Sequence, residues 1–343
     1  MKTCHYRIAI LVGVVLLTPV RQGGALAERV SADNAPADAS ALLVSAQHQF
    51  GLGNYLVAIA ALRSVVLENP LSAEAFYWLG RCYYEIRDFD NAIAHAEKSV
   101  ALQPQNSVYQ DFLGRAYGGK ADREKSFFTA RKVKKQFEQA VRLDPSNIPA
   151  RRDLQEFCME APWIVGGNSE EARAQVDAIA QIDPLQGHLA RAAFDVESLK
   201  RLDLAEKEYI EVLEAKPSTS DPYFEVASFF QSENKPREMK SAVEAAALVN
   251  PNDPRLAFYR AVGIILVGTD LGRAEEYLKS YLASTPDRSD WPPHAAAREW
   301  LGCLYEAQGK RAEAAEQYRA SLQLDPERKS ARARLEKLEK PSK

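Results

Sequence analysis

Cysteine is scarce, with 4 in 343 residues, so a disulfide-built scaffold is excluded. Histidine is nearly as rare, and His48, His95, His188 and His294 have no His or Cys neighbour at metal-ligand spacing. No His-Glu-x-x-His, Walker or Gly-x-Ser-x-Gly motif occurs. Gly51-Leu52-Gly53 falls at a turn between helical stretches and is not a phosphate cradle. No metal, cofactor or catalytic residue is therefore expected. Basic residues are outnumbered, 44 against 47, so a protein that binds nucleic acid over most of its surface is excluded. Long apolar runs are also missing. The longest, Ile8 to Leu17, is too short for a spanning helix of roughly 20 residues. What is abundant is apolar side chain, 46%, enough for a large core.

That short run has a purpose of its own. Lys2 and Arg7 precede it, and Pro19 and Ala25-Leu26-Ala27 follow, the layout of a secretory signal peptide. We expect residues 1–27 to be removed, with an uncleaved anchor as the alternative, and the chain to be periplasmic or secreted. Cys4 lies before the run and so is no lipid-attachment cysteine. Cleavage takes away three basic residues and no acid, carrying the net charge from −3 to −6. Residues 28–38, rich in Ala, Ser, Asp and Pro, form a loose leader. Cys82, Cys158 and Cys303 remain and fall on apolar helix faces, as small buried hydrophobes.

Proline spacing supplies the fold. Pro70, Pro104, Pro145, Pro184, Pro217, Pro251, Pro286 and Pro326 stand 33 to 41 residues apart. Twelve residues before each lie Ala58, Ala92, Val133, Ala172, Ala205, Met239, Ala274 and Ala314. Four and seven residues further on, apolar or small side chains recur, from Leu62 and Val65 in the first copy to Tyr318 and Ser321 in the last. Those offsets lie on one face of an α-helix. Each proline then ends its helix, lacking an N–H and restraining the residue before it.

An upstream helix completes each unit. Its clearest copies are Trp78-Leu79-Gly80-Arg81-Cys82-Tyr83, Phe112-Leu113-Gly114-Arg115-Ala116-Tyr117 and Trp300-Leu301-Gly302-Cys303-Leu304-Tyr305. Glycine costs a helix about 1 kcal/mol against alanine. Its recurrence in one frame predicts a helix–helix contact with no room for a side chain. On these residues the chain resembles the tetratricopeptide repeat (TPR) family over 39–326. The resemblance implies an all-α, right-handed solenoid of about eight helix pairs, with first helices lining a concave surface that holds peptides or protein segments. Units five to seven depart from the motif, with Ala193, Ala227 and Val262 at the glycine position. Residues 327–343, with Leu335 and Leu338, are expected to supply a solubilising end helix and tail.

Three insertions break the spacing, near 118–132, 161–169 and 287–293. The first adds seven residues, about two helical turns, so both helices can lengthen in phase. It carries Lys120, Arg123, Lys125, Arg131, Lys132, Lys134 and Lys135 against Asp122 and Glu124. The second brings Ala161-Pro162-Trp163-Ile164-Val165-Gly166-Gly167, and the third is a connector bearing Trp291. The first two occupy equivalent turns in neighbouring units. They form a basic edge beside Trp163 that either meets an acidic partner or, with Trp163 packed on Phe127 and Phe128, only seals the longer helices. These segments also resemble a subgroup of exported bacterial TPR proteins without assigned activity.

If the resemblance holds, the second, fifth, ninth and twelfth positions of each first helix face the groove. Glu74, Tyr77, Arg81 and Tyr84 are its candidates in unit two, and Asp111 and Arg115 in unit three. Phe224 and Tyr259 hold the same positions in units six and seven. Arg81 and Arg115, one repeat apart, suit a carboxylate or acidic peptide, unless they pair with Glu85, Asp111 or another acid. The expected function is a non-catalytic envelope adaptor that holds an extended segment of a protein or peptide partner. The alternative is an envelope-associated module that contacts anionic lipid or acidic partners through the basic insertion (Lys125, Arg131, Lys132, Lys134, Lys135) and Trp163. A cryptic hydrolase or enzyme accessory ranks below both.

Overall fold

The structure is a computed structural model describing residues 39–339. The expected signal segment, the leader and the last four residues lie outside the described residues. Among the described residues there are seventeen α-helices and no strand. They divide into two compact units, residues 39–144 with 161–166, and residues 145–160 with 167–339.

The first unit holds α1 (Ala39–Gly51), α2 (Tyr55–Glu68), α3 (Ala73–Glu85), α4 (Phe89–Leu102), α5 (Ser107–Glu124) and α6 (Phe127–Leu143), plus a 3-10 turn, Trp163–Val165. The second begins with α7 (Ile148–Glu160), α8 (Ser169–Ile182), α9 (Pro184–Phe194), a π-helical turn (Asp195–Leu199) and α10 (Leu202–Glu214). It continues with α11 (Asp221–Ser232), α12 (Pro236–Val249), α13 (Arg255–Val267), α14 (Leu271–Ser284), α15 (His294–Ala307), α16 (Arg311–Leu324) and α17 (Lys329–Glu339). Consecutive helices pack as hairpins, α1 with α2 through α15 with α16, and α17 closes on α16.

Local chemistry sets the helix ends. Side chains of Ser72, Asp88, Asn106, Ser126, Asn168 and Asp183 accept backbone N–H bonds at the first turns of α3, α4, α5, α6, α8 and α9. Second helices stop two or three residues before the marker prolines, at Glu68, Leu102, Leu143, Ile182, Glu214, Val249, Ser284 and Leu324. Pro184 does more, since it opens α9 at the first-turn position where its missing N–H costs nothing.

The core follows the periodic stripe. Every position twelve, eight and five residues before a marker proline is at most 5% exposed, Tyr209 being the most open of them. Each large side chain buried this way contributes about 1.5–3 kcal/mol. The motif glycines lie where a side chain has no room. A Cβ on Gly80 would meet the Phe112 ring at 2.8 Å, one on Gly114 the Phe137 ring at 2.5 Å, and one on Gly302 the Tyr318 ring at 2.4 Å. Gly187, outside the motif, is as tight, because its Cβ would meet the Ala180 Cα at 2.6 Å.

Candidate functional site

Helix α3 presents the first candidate face. Glu74 is exposed and accepts a hydrogen bond from Gln47 Nε2 at 2.9 Å. Tyr77, half-buried, stacks on Tyr109 with 5.0 Å between ring centroids and meets the Phe112 ring edge-on at 5.4 Å. Tyr84 packs edge-on against Phe89 at 5.5 Å. Between them Arg81 lays its guanidinium over Phe50, Trp78 and Tyr77, at 4.5, 4.7 and 5.7 Å from the ring centroids. The rings hold the cation by its flat face, which fixes its position without using its N–H donors. Among the described residues, no carboxylate stands within salt-bridge distance of Arg81.

Arg115 has a different fate. Its Nε lies 3.3 Å from Asp111 Oδ2, and Asp111 is buried while Arg115 is exposed. The two arginines are thus not equivalent, one being cradled by aromatic rings and the other paired within its own helix. In the same unit a cavity of about 250 Å³ is lined by Asp90, Ile93, Ala94, Glu97, Tyr117, Lys120, Thr129 and Lys132. Its polar groups answer one another. Tyr117 donates to Glu97 Oε1 at 2.5 Å, and Lys120 donates to Asp90 Oδ1 at 2.5 Å. Burial and the Glu97 bond push the Tyr117 hydroxyl well above the usual phenol range, while the Lys120 bond holds the Asp90 carboxyl down.

In the second unit the corresponding candidates are corrected. Phe224 and Tyr259, expected to line a groove, are 0% and 2% exposed. Their rings stack at 5.2 Å, and Arg255 lies over Phe224 at 4.3 Å and Trp291 at 5.6 Å. Arg255 is itself buried, bonded to Asp253 Oδ2 and Asp221 Oδ1 at 2.7 Å each and to Ser220 Oγ at 3.2 Å. Burial opposes the charge on Asp253, yet the Arg255 and Ser220 bonds bring its carboxyl below the ordinary value. This cluster is a structural lock, and Trp291 from the third insertion is part of its cover.

The basic edge is also reshaped. Lys120 and Arg123 reach Asp90, and Lys125 pairs with Asp122 at 3.0 Å, so that these three of the seven basic groups face an acid. Lys134 bonds the Gly166 carbonyl at 3.0 Å and lies 3.8 Å from Glu138. Lys132 lies over the Tyr117 ring at 5.0 Å, and Arg131 bonds the Ile164 carbonyl at 3.2 Å. Lys135 is exposed. Trp163 does not seal the hairpin, because it and Phe128 are each 84% exposed, with Phe127 half-buried. Sequence reasoning named Phe128 only as a packing partner. The adjacent aromatic pair Phe127-Phe128 on a helix is its one signal, since only one member of such a pair can face the core.

Two stretches of the chain match the tetratricopeptide repeat family models, residues 43–107 and 295–328. The chain carries tetratricopeptide repeats. Among solved structures, a chain of the APC/C hetero-tetramer Cut9-Hcn1 shares the fold with a TM-score of 0.52. It is 12% identical over 88% of this chain, which spans 56% of that chain. A TPR protein from Thermus thermophilus is 22% identical over 52% of this chain and 91% of its own, with a TM-score of 0.44. One from Parabacteroides merdae is 12% identical over 88% of this chain and 99% of its own, with a TM-score of 0.43. No curated protein matches the sequence. TPR arrays are protein-binding scaffolds built from stacked helix pairs. Among the described residues no helix is long and apolar enough to cross a membrane.

Proposed function

We propose that the chain is a non-catalytic adaptor of the cell envelope that holds an extended acidic segment of a partner protein against the α3 face. The observation that carries this reading is Arg81. Three aromatic rings orient its guanidinium, and no carboxylate of the described chain occupies its donors. A fixed guanidinium loses little freedom when a carboxylate docks, so the bidentate pair is favoured over one made by a mobile side chain. Glu74 on the same face, exposed and two turns away, gives the segment a direction by repelling acid at one end. Phe224 and Tyr259 belong to the core, so the contact is assigned to α3 and its neighbours alone.

Export rests on the first 27 residues, and the likeness of the two early insertions to exported bacterial TPR proteins supports it. The test is fluorescence anisotropy with a labelled Glu-rich octapeptide and its Gln counterpart. The Glu peptide is expected to bind more tightly, and Arg81→Gln to remove that preference with helical content unchanged. Equal binding of both peptides, or an unaffected variant, refutes the reading. Fractionation is the companion measurement, and a full-length chain found only in the cytoplasm refutes the envelope assignment.

A further inference from the structure

The turn Trp163–Val165 lies against α6. Two basic side chains hold it there, Arg131 through the Ile164 carbonyl and Lys134 through the Gly166 carbonyl. Gly166 has a φ of +114°, and a Cβ on it would meet Lys134 Cδ at 2.8 Å, so glycine alone suits this turn. The turn buries Val165 at 4% exposure and leaves Trp163 at 84% and Ile164 at 51%. Phe128, less than one turn before Arg131 on α6, is also 84% exposed. Large aromatics held this open are uncommon, and neither of them lines the cavity of this unit.

Charge surrounds these aromatics on one side. Phe128, Arg131, Lys132 and Lys135 stand at offsets zero, three, four and seven, which is a single helix face. All four are exposed. Among the described residues no carboxylate pairs with Arg131, Lys132 or Lys135, whereas Lys120, Arg123 and Lys125 are answered by acids.

We propose that this projection is an interfacial anchor for an anionic lipid bilayer. Tryptophan and phenylalanine bring apolar bodies to head-group depth, and flanking cations are drawn to an anionic surface. The form of the patch selects lipid over an acidic peptide. Peptide capture needs a trough that receives side chains, and here the apolar groups project outward. A fluid bilayer accepts a projection without a matching shape. The anchor residues belong to α6 and the Trp163–Val165 turn and none to α3, so the anchor adds a location to the adaptor and does not depend on its ligand.

The experiment uses the chain after residue 27, which retains every described helix, and vesicles of phosphatidylcholine with or without phosphatidylglycerol. Co-sedimentation is expected only with phosphatidylglycerol, weakening as salt rises, with a blue shift of tryptophan emission that Trp163→Ala removes. Phe128→Ala with Trp163→Ala lowers partitioning about tenfold or more. Lys132→Gln with Lys135→Gln lowers it about fivefold per charge. All four side chains are exposed, so circular dichroism is expected to be unchanged. No binding to phosphatidylglycerol vesicles overturns the proposal, as does binding indifferent to both pairs. Capture of a Glu-rich peptide through these residues, with vesicles ignored, overturns it in favour of a protein partner. Arg81→Gln is expected to leave vesicle binding intact, which separates this failure from failure of the adaptor reading.

Discussion

Replacing Gly302 by alanine is expected to destabilise the protein, although alanine is the better helix former. The exchange gains about 1 kcal/mol of helix propensity. Against it stands the Tyr318 ring, whose Cε1, Cδ1 and Cζ atoms lie 2.4, 2.7 and 2.8 Å from where the new Cβ would be. Ordinary carbon contacts begin near 3.4 Å, so the ring must retreat by about 1 Å. Tyr318 is 0% exposed and its hydroxyl bonds Glu306, so the retreat compresses packed core and strains that bond. Overpacking costs about 1–3 kcal/mol and a lost hydrogen bond about 1 kcal/mol. The net expectation is a loss of roughly 2 kcal/mol. Gly263→Ala is the control, because only Met239 Cε, at 3.8 Å, stands near its Cβ, and there the propensity gain is expected to survive. Urea titration followed by circular dichroism reads both variants. Hydrogen exchange over α15 and α16 locates the loss, since stacked repeats need not unfold together. A Gly302→Ala protein with an unchanged or higher urea midpoint refutes the close-contact account of the motif.

The Asp253 carboxylate predicts a pH dependence. Its folded pKa is lowered, so its contribution is present above the unfolded value of about 4 and is lost as pH falls through the folded one. Asp253→Asn is expected to cost about 3 kcal/mol at pH 7 and progressively less as pH falls below about 4, read from urea midpoints, and a cost that does not fall with pH refutes the lock. Cys82 tests burial of the motif helix. Desolvation lifts its thiol from 9.0 to about 12, so alkylation at pH 8 is expected to be about a thousandfold slower than for an open cysteine. Rapid native labelling at Cys82, read by peptide mass spectrometry, contradicts that packing.

How far the sequence reached is plain at particular residues. The stripe from Ala58 to Ser321 was legible because helix periodicity and burial are both local properties of the chain, and every member is buried. The Leu-Gly motif was legible for the same reason, since glycine pays a helix penalty that only a close neighbour offsets. Gly187 was not, for it meets Ala180 at a register that the motif does not share. Phe224 and Tyr259 were misplaced because an offset gives the side of a helix and not what covers it. Phe224 is covered by Arg255 from α13, the first helix of the following repeat, and Arg255 in turn by Trp291 from an insertion that read only as a longer connector. The basic edge was overcounted for a related reason. Asp90 lies thirty positions before Lys120 and answers it only in the folded chain.

Helices α5 and α6, with 18 and 17 residues, outreach neighbours of 13 or 14. The surplus lies beside the turn between α5 and α6, because Gly80 and Gly114 stand equally far into α3 and α5, and α4 and α6 both end two residues before their prolines. Residues added at that far end leave the phase of the packed positions behind them unchanged, so the tip can grow, shrink or exchange side chains while the inward faces keep their angle. Lengthening at the tip thus separates what it can become from what the interior must remain, and makes this hairpin the natural place to graft a new surface.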